Sequence, residues 1–245
     1  IFPYDGRYVA KVPTNAGLVH MWPFRTNLAN SRMFGGKTKI EAGLEWFEFG
    51  RLTSSKLRSA LSITFAEVAT HNHFALDRGG RVFKQTAPVI KLSSDKSVDD
   101  HLELLGLLNS SVACFWMKQA CYKKSSAHGG GSTDQPFTHQ YAFAGSQIQD
   151  LPLPPAMGLS VMGQRLDALA QVMADNQPAT VTGSAVPVRD LLDAAQAESD
   201  QAWVEMISTQ EELDWRCLYL YGLTDRALTM PEGSEAPPLV LGERA

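Results

Sequence analysis

The stretch from Asp99 to Lys124, DDHLELLGLLNSSVACFWMKQACYKK, constrains this chain more than any other, because it specifies a long helix with a start, a buried face and an interruption. Ser97 stands where an N-cap hydroxyl accepts from the backbone N–H of Asp100, and Asp99 and Asp100 bring negative charge to the positive end of the helix dipole. Leu105, Leu108, Val112 and Phe115 recur at steps of three and four, and Leu104, Leu107, Cys114 and Met117 form a second apolar row beside them. Such a wide apolar face predicts a core helix with other elements layered on it. Asn109, Ser110 and Ser111 break the run with side chains that compete for backbone hydrogen bonds, which predicts a kink. The far end carries Lys118, Lys123 and Lys124 and then SSAHGGGS, a loop whose lysines, with Ser125 and Ser126, suit phosphate oxygens or, equally, bulk solvent.

Residues 60–92 carry the strongest strand signal. ALSITFAEVATHNHFAL and RVFKQTAPVIKL are rich in β-branched and aromatic residues and flank the turn DRGG, which predicts a hairpin. Its tip would hold Arg78 and Arg81, with Lys84 on the second strand. A basic hairpin of this kind either enters a DNA groove, where a guanidinium pairs bidentately with guanine, or serves as a charged edge that blocks aggregation. His71 and His73 on either side of Asn72 place two imidazoles on one face of a strand. No carboxylate or thiol nearby in sequence completes a metal site, so hydrogen bonding to a loop or to DNA is the expected use.

Overall charge hides an asymmetry. Residues 1–150 hold 17 Lys/Arg against 12 Asp/Glu, a net +5, whereas residues 151–245 hold 5 against 14, a net -9. The first part is thus suited to a polyanion and the second to a structural or protein-facing role. Cys114, Cys121 and Cys217 form no CxxC pair and no zinc spacing, a pattern that fits a reducing cytoplasm. No apolar run approaches a membrane span, and no secretory leader opens the sequence. The chain starts at Ile1 and stops at LGERA, which reads as the first turn of a further helix, so a piece of something longer is expected.

The first fifty residues, with Trp22, Phe24, Phe34, Trp46 and Phe47 among their aromatics, predict short strands and turns. Gly35-Gly36-Lys37-Thr38 imitates the end of a phosphate-binding loop, but Ser31 stands where its first glycine belongs, so a nucleotide site is rejected. Lys37 and Lys39 on that glycine turn either touch a nucleic-acid backbone or are solvated. QIQDLPLPP, Gln147 to Pro155, predicts an extended segment that closes the first region. Leu159 to Asn176 and Val188 to Tyr221 show helix spacing on either side of a Pro/Thr/Gly/Ser break, an antiparallel helical hairpin. The expected class is α+β: a strand-rich recognition domain built around a buried helix over 1–155, a bracing hairpin over 156–223, and a loop opening a further segment over 224–245.

No catalytic constellation emerges. GxSxG and HExxH are both absent, and Glu211, Glu212 and Asp214 read as helix-surface charges rather than an acid/base pair. On residue chemistry alone, binding of nucleic acid and binding of protein both stand.

Four phrases in order, ATHNHFALDRGGRVFKQTAPVIKL, LLGLLNSSVACFWMKQ, QIQDLPLP and EELDWRCLYLYGL, resemble the C-terminal half of the PglX family. These are adenine-specific DNA methyltransferases of bacteriophage-exclusion (BREX) systems, and the likeness is greatest to the type 2 systems. The helix with LLNS, the LPLP segment and the helix pair are also similar to the target-recognition region of type IIG restriction-modification enzymes. The resemblance implies a bacterial, cytoplasmic parent enzyme that transfers a methyl group from S-adenosylmethionine to the N6 of adenine and so marks host DNA against phage defence. Its Asn/Asp-Pro-Pro-aromatic loop and its methyl-donor glycine motif have no counterpart here; Pro154-Pro155 and Pro237-Pro238 lack both flanking residues. The segment would therefore hold no cofactor and no catalytic residue, and would recognise double-stranded DNA. The residues implied are Arg78, Arg81, Lys84, His71, Asn72, His73, Lys123, Lys124, Ser125 and Ser126, with Lys37 and Lys39. The competing expectation is a module that docks other defence proteins or a phage DNA-mimic inhibitor through its acidic helices, with Trp203 and Trp215 at the contact.

Overall fold

The structure, a computed structural model, describes residues 3–5, 7, 9–52, 61–79, 81, 83, 86–124, 139–184, 186, 188–231 and 234. The chain divides into two compact units, Ile1–Arg58 and Ser59–Ala245.

The first unit is built from short pieces, as its glycine and aromatic content predicts. Helix α1 (Asn15–Met21) is capped by the Thr14 hydroxyl and continues through a 3₁₀ turn, Trp22–Phe24, into α2 (Arg25–Ala29). Isolated bridges join Tyr4 to Ala10 and Arg32 to Thr38. Trp22, Trp46 and Phe47 pack edge to face, the arrangement aromatic quadrupoles favour.

The second unit is mixed α and β. Its strands are β1 (Ser62–Phe65), β2 (Val68–Ala69), β3 (Phe74–Asp77) and β4 (Val89–Ile90), with β5 (Tyr122–Lys124) and β6 (Gln140–Ala142) later in the chain. Among the described residues they form two antiparallel sheets, ordered β3-β1-β4 and β2-β6-β5. Among the described residues, the strands on either side of the DRGG turn do not pair with each other as the expected hairpin requires. β1 takes the middle position, pairing Ser62 with Asp77 and Phe65 with Phe74 on one side, and Ile63 with Ile90 on the other. Its Ile63 and Phe65 are the buried apolar pair that earns a central strand, so the two runs flanking the turn become separate edges.

The stretch that anchors the sequence forms α3 (Val98–Asn109) and α4 (Ser111–Ala120). Ser97 caps α3 as expected, and Asp100 returns a bond to the Ser97 backbone, completing a capping box. α3 is sandwiched. Leu102, Leu105 and Leu108 join Ile63, Phe65, Phe74 and Phe143 in one core cluster, while Leu107 joins Leu159, Leu213 and Cys217 in a second.

The second cluster comes from α6 (Ser160–Asp175) and α8 (Arg189–Leu220), which follow α5 (Gly145–Gln149) and are linked by α7 (Pro178–Ser184). Leu159 packs near Leu213, and Arg165 pairs with Glu205, so α6 and α8 run antiparallel as the spacing predicts. Two expectations are corrected. Gln147–Gln149 belong to a helical turn, so the proline-rich segment opens only after it; and the Pro/Thr/Gly/Ser break is itself a short helix, with Pro178 at the first position, where a missing N–H costs nothing.

Candidate nucleic-acid interface

The kink foreseen at Asn109–Ser111 is a full break. Ser110 adopts an extended conformation (φ -69°, ψ 155°), ending α3 and capping α4 through its hydroxyl, which accepts from the Ala113 N–H. Distant residues hold the break in place. The Asn109 carboxamide accepts from the Phe74 N–H and donates to the Phe74 carbonyl, both at 3.0 Å, as a strand neighbour would. Asn72 Nδ2 donates to the carbonyls of Leu108 (2.7 Å) and Ser110 (3.2 Å). From α8, Asp214 accepts from the backbone N–H and hydroxyl of Ser111. Asp214 is therefore a cap on α4 rather than a free surface charge. Asn72, expected at a base edge, is committed to the chain's own carbonyls, which face it once α3 ends early.

Breaking the helix re-aims α4, so that its C-terminus delivers β5 to the edge of the second sheet. Tyr122 pairs with Ala142, Lys123 with Tyr141 and Lys124 with Gln140, and β2 flanks β6 on its other side through Ala69 and Tyr141. All three β5 side chains are exposed, Tyr122 by 74%. On α4, Phe115 is 69% exposed and stands one turn before Lys118, whose Nζ lies 5.8 Å from the Tyr141 ring centroid. His71 and His73, expected on one face of a strand, lie instead in the irregular segment between β2 and β3, with His71 near enough to Lys118 to feel its charge. Their rings lie 4.0 Å apart, and Thr70 Oγ1 is 2.8 Å from His71 Nδ1. Partial burial lowers the His71 pKa, with repulsion from His73 and Lys118 adding to it. Lys118 and Lys123 thus lie on the Tyr141 side of this sheet, near His71, while Tyr122 and Lys124 project from its other face. No Asp or Glu lies between Glu103 and Asp134 in the sequence to offset the lysines.

Arg78 stands apart from the histidines. His73 precedes Phe74 and Arg78 follows Asp77, so the length of β3 separates them, roughly 15 Å of strand. Its guanidinium makes a bidentate pair with Asp167 on α6, 3.3 Å and 2.5 Å, and that bond raises its pKa further. The side chain remains 46% exposed, but its fork is engaged by the bracing helix. Arg81 is exposed; Lys84, Ser125 and Ser126 lie outside the described residues. In the first unit Lys37 is exposed on its glycine turn, whereas Lys39 is buried to 8% exposure, and desolvation lowers its pKa. Lys39 is therefore withdrawn from any phosphate.

Composition alone did not reveal Phe115 and Tyr122, because each reads as one more apolar residue in a periodic run. Phe115, expected on the buried face with Leu105, Leu108 and Val112, is instead exposed because the break resets the helix phase, and it stands one turn before Lys118. Burial pushes the Cys121 thiol up and the Cys217 thiol to about 11, which suits neither to nucleophilic chemistry. Among the described residues no three His, Cys, Asp or Glu side chains converge as metal ligands, and no helix is long and apolar enough to cross a membrane. An apolar pocket of about 280 Å³ opens beside β4, lined by Phe65, Val89, Leu104, Leu108 and Ile148.

No family model and no solved structure matches the chain. It is 41% identical over 232 residues to the adenine-specific methyltransferase PglX of Streptomyces coelicolor. That match takes in 92% of this chain and 19% of the relative, so the chain spans about a fifth of that protein's length.

Proposed function

We propose that this chain is the double-stranded DNA recognition region of an N6-adenine DNA methyltransferase working in a bacteriophage-exclusion system in the bacterial cytoplasm. S-adenosylmethionine would be held by a catalytic part of the parent enzyme, outside this sequence. The observation that carries the reading is the 41% identity, spread over nearly the whole chain, to a protein described as an adenine-specific methyltransferase. Lys118, Lys123 and Lys124, in a stretch of sequence without acid, together with the exposed rings of Phe115 and Tyr122, support it, since lysines suit phosphates and exposed rings suit bases.

The test is binding of a labelled duplex across a salt series. Replacing Lys123 and Lys124 by Gln should weaken binding and flatten the plot of log affinity against log salt by roughly one per lysine removed. Arg78→Ala should change neither, because its partner is Asp167. If the lysine variant binds with an unaltered slope, these lysines are not at the interface.

The runner-up reading, a module that docks other defence proteins or a DNA-mimic inhibitor, draws on Trp203 and Trp215, both only partly covered on α8. Salt-insensitive binding of the chain to duplex, together with loss of a protein partner in Trp203→Ala, would favour it.

A further inference from the structure

One motif rejected as a nucleotide site has a geometry of its own. Arg32 and Thr38 close a short loop as a β-bridge, and inside it the Met33 N–H donates to the Lys37 carbonyl at 2.8 Å and the Gly36 N–H to the Met33 carbonyl at 3.0 Å. Phe34 and Gly35 therefore occupy the centre of a turn. Gly35 (φ 102°) and Gly36 (φ 87°) both lie in the left-handed region, which a residue with a Cβ rarely adopts. Two glycines in succession fix the loop so that the ring of Phe34 stands clear of the protein, at 102% of its reference exposure.

Among the described residues Phe34 is the most exposed of the large apolar side chains. Its neighbours carry the argument. Arg32 and Lys37, both exposed, flank the loop on either side. Glu41, the nearest acid along the chain, is turned back onto the loop base, where its carboxylate accepts from the Thr38 N–H at 2.8 Å and its pKa is lowered by that bond. An apolar tip between two cations matches the way wedge side chains enter a base step while cations hold the phosphates beside it.

We propose that the Met33–Lys37 loop is a DNA wedge, with Phe34 inserting between bases and Arg32 and Lys37 engaging the flanking phosphates. The proposal rests on the DNA-recognition reading and assigns that function a residue outside the lysine stretch.

A wedge binds better where unstacking has already been done, so distorted DNA should be preferred. The experiment compares the full chain on two labelled duplexes of about 20 base pairs. One is fully paired; the other carries a central mismatch beside a 2-aminopurine. The wild-type chain should bind the mismatched duplex about fivefold more tightly and raise the 2-aminopurine fluorescence. Phe34→Ala should abolish both the preference and the fluorescence change, while its affinity for paired DNA falls less than about threefold. Arg32→Gln with Lys37→Gln should weaken binding to both duplexes alike. Since Phe34 is fully exposed, its replacement should leave the fold intact, which an unchanged circular dichroism spectrum would check. Equal affinity of the wild type for the two duplexes overturns the wedge and leaves DNA recognition standing, as does a preference that survives in Phe34→Ala. Binding to neither duplex at low salt overturns both.

Discussion

At the scale of single residues, the break between α3 and α4 shows why a polar triplet sits in an otherwise apolar helix. Asn109 satisfies both backbone groups of Phe74, Ser110 caps the next helix from a fully buried position, and Ser111 receives the carboxylate of Asp214. Asn109→Ala removes two bonds and leaves the Phe74 N–H and carbonyl unmet beside the core. A loss of about 2 kcal/mol or more is expected in urea unfolding, more than a side chain of that size on a surface would cost. His71 makes a different prediction. Its folded pKa lies below 6.5, so the unfolded chain binds more protons; the stability due to it is full above 6.5 and is lost as pH falls through the lower folded value. A phosphate beside the pair reverses the preference and draws a proton in, so duplex affinity should rise on going from about pH 8 to about pH 6. That rise should shrink in the His71→Gln/His73→Gln variant, and an unchanged pH profile there would remove the two imidazoles from the interface. The break itself was legible because Asn and Ser compete locally for the backbone. Its partners were not, because Asn72, Phe74 and Asp214 are distant in sequence and nothing in a periodicity marks which carboxylate will face a helix start.

Among elements, the contact between α3 and α6 depends on glycine. A Cβ at Gly163 would lie 2.4 Å from the Leu102 carbonyl oxygen, a backbone atom of α3 that cannot swing aside, and one at Gly106 would meet Leu213 Cδ1 at 2.9 Å. Two helices approach closely enough for Leu107, Leu159 and Leu213 to close the second core cluster only because those positions lack side chains. Alanine is favoured over glycine in a helix by about 1 kcal/mol, so a substitution there weighs propensity against overpacking. For Gly163→Ala the clash should win, with a net loss of about 2 kcal/mol in thermal or urea unfolding. Gly183 in α7 is the control: its Cβ would meet nothing within 4 Å, and Gly183→Ala should be neutral or slightly stabilising. The helices and their antiparallel pairing could be read from spacing, since amphipathic periodicity is a local property. Strand pairing was misread because alternation says that a segment is a strand but not which neighbour it takes; Ile63 and Phe65 drew β1 to the middle, and the turn at Asp77–Gly79 did not decide the partners.

For the whole molecule, the charge asymmetry resolves into two kinds of use. Much of the acid in the C-terminal helices works internally: Asp167 holds Arg78, Glu205 holds Arg165, Asp214 caps α4, and Glu212 accepts from the Met230 N–H. These bonds tie α6 to Arg78 after β3, α6 to α8, and α8 to α4 and to the segment that follows it. The lysine stretch, by contrast, has no acid beside it in the sequence. Both core clusters lie wholly within Ser59–Ala245, so a chain of residues 59–245 should fold without the first unit and unfold in one cooperative transition. Its duplex affinity should keep the lysine-dependent salt slope, because Lys118, Lys123 and Lys124 are all retained. Its preference for mismatched DNA should vanish, because Phe34 goes with the residues removed. A shortened chain that still discriminates between the two duplexes would place the wedge among residues 59–245, and one that unfolds without cooperativity would mean that the first unit contributes to the core.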